Sequence, residues 1–459
     1  MIGRVVRSAI VALIFAEVTL VASAYVFATY LHADIDPLIW LQYEDGLLRI
    51  SVLVVGIILG LYFQDLYSNF RISSRFLLMQ QICLALGIAF LFEAGVGYLA
   101  PWLLLPRKIL MTGSVALMVL LPIWRILYST VLIANLNTQR VLFLGASETN
   151  RSLASALLEK PEFGLIPIGF VLDTQPENPI EKPPVLGDLE SFRKIVEEHK
   201  PDRVIVGLEE RRQRMPVIDL LEINFAGTLI EDAANAYETV FGRIPTQRLR
   251  PSQLIFSREL GPRPATLRLQ ALYSVAIAAI GLLFLLPILL VTAILVRLTS
   301  RGPVLFRQTR VGHHDKVFTL YKFRSMKQNA EAETGAVWAA KDDPRITRFG
   351  RFMRKTRLDE LPQLFNVIKG EMSIVGPRPE RPEFVSTLSE KIPFYRHRHC
   401  VRPGITGWAQ INHKYGDTME DTITKLEYDI YYIKNLSPAL DFYIMLQTAK
   451  VMLLSRGAQ

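Results

Sequence analysis

The sequence predicts a membrane protein in three parts: a four-helix transmembrane bundle, a central α/β domain, and a basic, mainly α C-terminal unit carrying a Pro-broken re-entrant membrane helix. Three observations predict it. Half of the 459 residues are apolar and the mean hydropathy is +0.26, yet the formal net charge is +9. Four long apolar stretches crowd into the first 135 residues, and a fifth stands alone at 269–296. Between and after them the composition is that of soluble protein. An excess of Lys and Arg on so apolar a chain suits basic cytoplasmic surfaces beside anionic lipid. No nucleic-acid partner is expected. Only Cys83 and Cys400 are present, so a disulfide framework is not.

The first domain is placed at residues 1–136. Its apolar stretches, at about 8–31, 47–64, 76–100 and 108–134, each approach the roughly 20 residues needed to cross hydrocarbon. The first is too long for a signal peptide and is read as a span. Arg4 and Arg7 precede it, "HADIDPLIWLQYEDG" after it has no Lys or Arg, and "YSNFRISSRF" is basic again. That alternation puts both ends of the bundle in the cytoplasm. Glu17, Glu93 and Arg125 lie within the spans, where charge is expensive, and a structural Glu–Arg pair is expected.

The second domain, 137–262, reads as alternating strand and helix. "QRVLFLGASETNRSLASALLEK" is strand, turn, helix; "PIGFVLD", "DLESFRKIVEEHK" and "PDRVIVGL" continue the pattern. It is Rossmann-like with a degenerate nucleotide motif. Gly145 is in place, but Ser147 and Asn150 stand where the next two glycines would let a pyrophosphate approach, and Asp173, which ends the second strand, is a single acidic residue of a kind common there. A regulatory or assembly role is expected rather than dinucleotide binding.

The third domain is placed at 263–459. Its apolar segment 269–296 contains no charge, yet Arg263 and Arg268 precede it and Arg297, Arg301 and Arg307 follow. Basic residues on both flanks suit a segment that enters and leaves by one face. Pro287 removes one helical hydrogen bond inside it, so a bent, re-entrant helix is expected. "PRITRFGRFMRK" places Ile346, Phe349, Phe352 and Met353 on one helical face, with Arg348, Arg351 and Lys355 opposite. Such a helix fits either a membrane interface or an ordinary protein surface. "HRHC" offers His397 and His399 without a second ligand pair, so surface or headgroup contacts are expected rather than a metal site.

Within this domain "RLDELPQLFNVIKGEMSIVGPRP" places Asp359 and Glu360 before a helix that Pro362 opens and Gly370 closes. Leu361, Leu364, Phe365 and Ile368 are expected on its apolar face. Helix dipole and the upstream Arg354, Lys355 and Arg357 both favour ionised carboxylates. Acidic residues at a helix start are usually caps. Here "YKFRSM", "GPRPERPE" and "VRPGITGWAQI" add Gly/Pro-punctuated turns with cations, a combination suited to phosphate.

With "RQTRVG", "TRFGRFMRKTRLDELPQLFNVIKGEMSIVGPRPE", "RPGITGWAQI" and "LEYDIYYIKN", residues 264–459 closely resemble the bacterial sugar transferases, that is, polyprenyl-phosphate hexose-1-phosphate transferases or monotopic phosphoglycosyl transferases. The whole layout resembles the long form of that family. The resemblance implies attack by Asp359 on a UDP-sugar, release of UMP, and passage of the sugar-phosphate to undecaprenyl phosphate, at the start of exopolysaccharide, capsule or O-antigen assembly. It implies that Glu360 holds Mg²⁺, that Lys322, Arg324 and Arg378 bind phosphate, that Arg402 contacts the nucleotide, and that Asp429 completes the acidic site. The implied setting is the bacterial inner membrane, with soluble domains and both termini cytoplasmic. A homodimer and downstream glycosyltransferases are possible partners. One departure is visible, Leu286 standing before Pro287 where many relatives have Ser. Two other readings compete: a non-catalytic scaffold for polysaccharide assembly, disfavoured by the intact acidic pair, and a nucleotide-sugar oxidoreductase, disfavoured by Ser147 and Asn150.

Overall fold

A computed structural model describes residues 2–67, 75–135, 138–160, 163–173, 182–208, 215–246, 262–327, 345–413 and 418–453. The basic loop 68–74 and the last six residues lie outside these, as do the side chains of Arg4 and Arg7. Two compact units divide the chain, Met1–Ala233 and Ala234–Gln459.

In the first unit, helices α1 (Ile2–His32), α3 (Gly46–Phe63), α4 (Arg75–Leu99) and α5 (Arg107–Asn135) form the bundle, with a short α2 (Pro37–Tyr43) between the first two. All four long helices are apolar and long enough to cross a membrane. Leu13, Val21, Leu53, Ile57, Ile82, Ala85 and Leu117 are buried at the bundle centre, while Phe15, Phe76, Leu91 and Ile123 face outward, the inverse of a soluble bundle. The expected ion pair is present. Arg125 Nε lies 2.6 Å from Glu17 Oε1, and Tyr67 donates to Glu17 Oε2 at 2.5 Å. Glu93 accepts the Leu105 N–H at 3.1 Å, so that charge also has a protein partner.

The same unit holds β1 (Gln139–Leu144), α6 (Glu148–Glu159), β2 (Leu165–Leu172), β3 (Val185–Asp188), α7 (Phe192–His199), β4 (Arg203–Val206), α8 (Val217–Phe225) and β5 (Leu229–Asp232). The five strands are parallel in the order β3-β2-β1-β4-β5. Leu142, Leu144, Val204 and Val206 pack on α7 and α8, and on the other face Phe143 and Phe170 stack at 5.1 Å. At the β1–α6 turn the Asn150 amide donates to the carbonyls of Leu144 (3.2 Å) and Gly145 (2.8 Å), and Ser147 caps α6. A side chain therefore fills the place that a fingerprint glycine would leave open to a pyrophosphate.

The second unit contains α9 (Ala233–Phe241, its first residue in the other unit), α10 (Pro264–Thr299), β6 (Leu305–Val311), β7 (Val317–Phe323), α11 (Arg348–Thr356), α12 (Gln363–Ile368), β8 (Ser373–Val375), α13 (Pro382–Lys391), β9 (Gly404–Thr406), α14 (Trp408–Asn412), α15 (Met419–Lys434) and α16 (Pro438–Leu453). β6 and β7 form an antiparallel hairpin; β8 and β9 pair in parallel. Pro287 sits inside α10, which is one continuous helical element rather than two helices meeting at the proline. Its first half packs Ala278 on Leu320, Leu364 and Val367, and its second half packs Leu289 and Val296 on Phe323 and Met353. The two halves thus pack on two neighbouring clusters of the second unit, which share Leu282. Leu272, Leu283, Phe284, Val291 and Leu298 are exposed.

Two expected faces shift. On α11, Met353 is buried and Phe349 partly so, but Phe352 is exposed. On α12 the buried apolar residues are Leu364 and Val367, with Gln363 and Asn366 buried beside them, while Phe365 and Ile368 face out. The helix is only six residues long, and α10 covers the 364/367 side, so packing overrides the four-residue stripe read from sequence.

Candidate active site

The acidic pair lies on a 3-10 turn, Leu358–Glu360, between α11 and α12. Arg357 makes the junction in the left-handed region, with φ +57° and ψ 15°, ending one helix and starting the turn. Pro362 then supplies a φ of −62° for α12, and Gly370, with φ +77°, closes it. Asn366 fastens α12 to β7. Its side chain accepts the Tyr321 N–H at 3.1 Å and donates to Thr319 O and Glu371 Oε2, both at 2.7 Å. Period-two alternation puts Lys322 on the same side of β7 as the buried Leu320, above the turn.

Three cations meet Glu360, all at Oε1. Lys322 Nζ lies 2.9 Å away, Arg378 Nη2 2.8 Å and Arg357 Nη1 3.9 Å. Burial alone would raise the Glu360 pKa, but Lys322, Arg378 and Arg357 outweigh it and hold the carboxyl well below its usual range. Asp359 is pushed the other way. Burial raises its pKa, Glu360 adds to that, and Lys322, Arg354 and Arg357 only partly oppose it. Asp359 Oδ1 is buried and makes no hydrogen bond. One carboxylate is therefore a clamped anion and its neighbour keeps a buried oxygen without a hydrogen-bond partner. Neighbouring acids driven apart in this way divide labour in many active sites.

Arg378 comes from the turn after β8. The Gly376 N–H donates to Thr406 O at 2.9 Å and the Gly404 N–H to Pro377 O at 3.0 Å. A Cβ at Gly376 would collide with the Arg402 carbonyl and the Gly404 nitrogen, so these two loops touch through bare backbone. Arg402 is partly buried beside this turn, and its guanidinium makes no hydrogen bond or ion pair among the described residues.

Two expected site residues have other partners. Arg324 is buried and donates to the Pro303 carbonyl, the Ser300 carbonyl and Ser300 Oγ, closing the end of α10 instead of reaching the pair. Asp429 touches neither carboxylate. It lies 2.8 Å from Arg398 Nη2, which donates to the Arg378 carbonyl at 2.9 Å. Burial pushes the Asp429 pKa up to about 6, against the opposing pull of Arg398. Sequence reasoning missed Arg398 and Asn366; a polar residue interrupting the apolar run "LPQLFNVI" was the one available signal for the latter. It also missed that His399 is buried, with Nδ1 2.6 Å from Asp315 Oδ1, which rules out the surface contact expected there.

Among the described residues no three His, Cys, Asp or Glu side chains gather to hold a metal by themselves. Asp359 Oδ1 is a hard oxygen without a hydrogen-bond partner next to the Glu360 carboxylate, two donors that fit an ion carried mainly by substrate phosphates.

The family model described as bacterial sugar transferase matches residues 265–455. A UDP-N-acetylgalactosamine-undecaprenyl-phosphate N-acetylgalactosaminephosphotransferase of Aeromonas hydrophila is 46% identical over 222 residues, 48% of this chain and 52% of that protein. An exopolysaccharide production protein of Rhizobium leguminosarum bv. phaseoli is 43% identical over 182 residues, 39% of this chain and 90% of that protein. The chain belongs to the bacterial sugar transferase family. A UDP-glucose:undecaprenyl-phosphate glucose-1-phosphate transferase of Xanthomonas campestris pv. campestris is 33% identical over 330 residues, 68% of this chain and 66% of that protein. The sugar transferase thus spans about half to two thirds of the length of the Aeromonas and Xanthomonas relatives. A CoA-binding domain model also matches residues 62–222 of the sugar transferase, covering the first four strands of the parallel sheet and part of the bundle.

Proposed function

We propose that this sugar transferase moves a sugar-1-phosphate from a UDP-sugar to undecaprenyl phosphate, as the first membrane step of a surface polysaccharide. The observation that carries it is the unpartnered Asp359 oxygen beside a carboxylate clamped by Lys322 and Arg378. The names of the relatives supply the substrate class.

An ionised Asp359 oxygen attacks the β-phosphorus of the donor. The P–O bond to the bridging oxygen breaks, UMP leaves with the electron pair, and the sugar-phosphate stays on the aspartate. An oxygen of undecaprenyl phosphate then attacks the same phosphorus, releasing Asp359 and forming the diphosphate-linked lipid. Arg378, Lys322 and Arg402 offset the charge of two anionic substrates meeting an anionic nucleophile. Glu360 would hold Mg²⁺ beside the substrate phosphates, and the ion would shield phosphate charge when bound.

The α10 helix supports a re-entrant placement. A straight helix of 36 residues is about 54 Å long, yet both halves of α10 pack on neighbouring clusters of the unit that carries the site. We read it as dipping into and leaving the cytoplasmic leaflet of the inner membrane, so that the lipid phosphate meets Asp359 at headgroup depth. A tag after residue 459 is then shielded from reagents outside intact cells; external labelling refutes this topology.

The deciding experiment measures UMP release across a panel of UDP-sugars, with and without undecaprenyl phosphate, for wild type and Asp359→Asn. Release by wild type and none by the folded variant is expected. Undiminished release by Asp359→Asn removes the nucleophile assignment, and no release with any donor removes the activity.

A further inference from the structure

A second carboxylate in the same unit is buried without any cation. Asp441, on α16, is fully buried and makes no ion pair among the described residues. Three donors converge on it: Gln270 Nε2 at 2.8 Å, Tyr432 OH at 2.7 Å, and the Tyr273 hydroxyl. Gln270 and Tyr273 belong to the membrane helix α10, and Tyr432 belongs to α15.

The donors have one further target. The Val375 carbonyl lies 3.3 Å from Gln270 Nε2 and 3.2 Å from Tyr432 OH. Tyr432 has a single O–H, and its shorter bond goes to Asp441. Gln270 has two N–H groups, one for Asp441 and one for Val375 O or the Tyr432 oxygen. One turn along α10, Ser274 Oγ meets Ser373 Oγ at 2.9 Å, holding the other end of β8. Strand β8 ends at Val375, and Gly376, Pro377 and Arg378 follow. Because Gly376 is wedged against Arg402 and Gly404, movement of Val375 has no room to dissipate before Arg378.

We propose that Asp441 is a positioning residue: by holding the Tyr432 hydroxyl and turning the Gln270 amide toward the Val375 carbonyl, it ties the membrane helix to the strand that leads into Arg378 and fixes where that guanidinium meets a diphosphate. The functional half of this statement rests on the phosphate-binding role given to Arg378 above. Nothing about the tie is legible in the chain order, since its members stand at 270, 375, 432 and 441.

The test uses the full-length protein with Gln270→Leu, Tyr432→Phe and Asp441→Asn. Tyr432→Phe keeps the ring and removes one hydroxyl, so it remains informative if another variant fails to fold. Backbone hydrogen exchange across 373–380 should quicken in each folded variant; unchanged exchange overturns the tie, whether or not the enzyme turns over. Equilibrium affinity for UDP should then weaken about tenfold with Gln270→Leu alone, and by no more than about twofold when Arg378 is already Ala. The same factor in both backgrounds overturns action through Arg378. A wild-type protein that neither binds UDP nor releases UMP condemns the proposed function instead, and leaves the exchange measurement to decide the tie.

Discussion

Lys322 Nζ and Glu360 Oε1 meet at 2.9 Å across 38 positions of sequence, with both side chains largely withdrawn from water. The contact joins the second strand of the hairpin to the acidic turn. It leaves Glu360 ionised and places a positive charge next to Asp359.

Removing that cation should damage chemistry more than folding. Lys322→Met is expected to lower kcat/KM for UMP release by about 10²- to 10³-fold, the usual range for a lost electrostatic donor. Lys322→Arg should recover only part, because a planar fork does not replace a point charge. Turnover of Lys322→Met within twofold of wild type would show that Arg378 and Arg357 suffice.

The pH profile follows from Asp359. Its carboxyl must be ionised to attack, and burial together with Glu360 raises its pKa above the ordinary 3.8. Activity should therefore fall as pH drops, with its acid limb shifted upward from that of an ordinary aspartate. Arg354 is one of the cations opposing that rise, so Arg354→Met should move the acid limb to higher pH. A limb that stays put, or moves down, contradicts this electrostatic account.

Asp429 and Arg398 predict a stability effect. The Asp429 pKa in the folded protein, about 6, exceeds the ordinary 3.8. Its contribution is therefore full below pH 3.8 and is lost as pH rises through about 6. Asp429→Asn should flatten the dependence of melting temperature on pH in that window. Asp429→Leu leaves Arg398 buried and unpaired, at a cost of about 3–5 kcal/mol. Melting curves in detergent that superimpose on wild type across this range would argue against the pairing.

In the bundle, Glu17→Leu or Arg125→Leu alone should destabilise by about 3–5 kcal/mol, since each strands the other charge, whereas the double replacement should come close to wild type. Thermal unfolding of the three variants separates these cases. Additive losses would mean that the two residues act independently.

How much of this was legible beforehand follows from range along the chain. The spans, the parallel sheet and the position of Asp359 and Glu360 rest on local periodicity, on Pro362 and Gly370, and on recognisable neighbouring motifs. A Glu–Arg pair in the bundle could be expected from sequence because an apolar bundle offers few other partners, but that Arg125 takes Glu17 rather than Glu93 could not be read there. Arg324 could not be assigned that way. In "YKFRSM" it looks equivalent to Lys322, but it is spent on Ser300 and Pro303 at the end of α10. Asp429 looked like a third acid and instead faces Arg398, because a long-range ion pair leaves no mark on spacing. The outward turn of Phe365 and Ile368 was equally hidden, since it depends on which side α10 covers.

The backbone at Arg357 limits what can replace it. A residue with φ +57° is most comfortable as glycine or asparagine, yet neither carries a cation toward Glu360. Lysine would keep the charge and inherit the same awkward torsion. Shape and charge at this one position thus pull substitutions in opposite directions, and random libraries selected for growth on the finished polysaccharide should return arginine there far more often than its backbone torsion alone would lead one to expect.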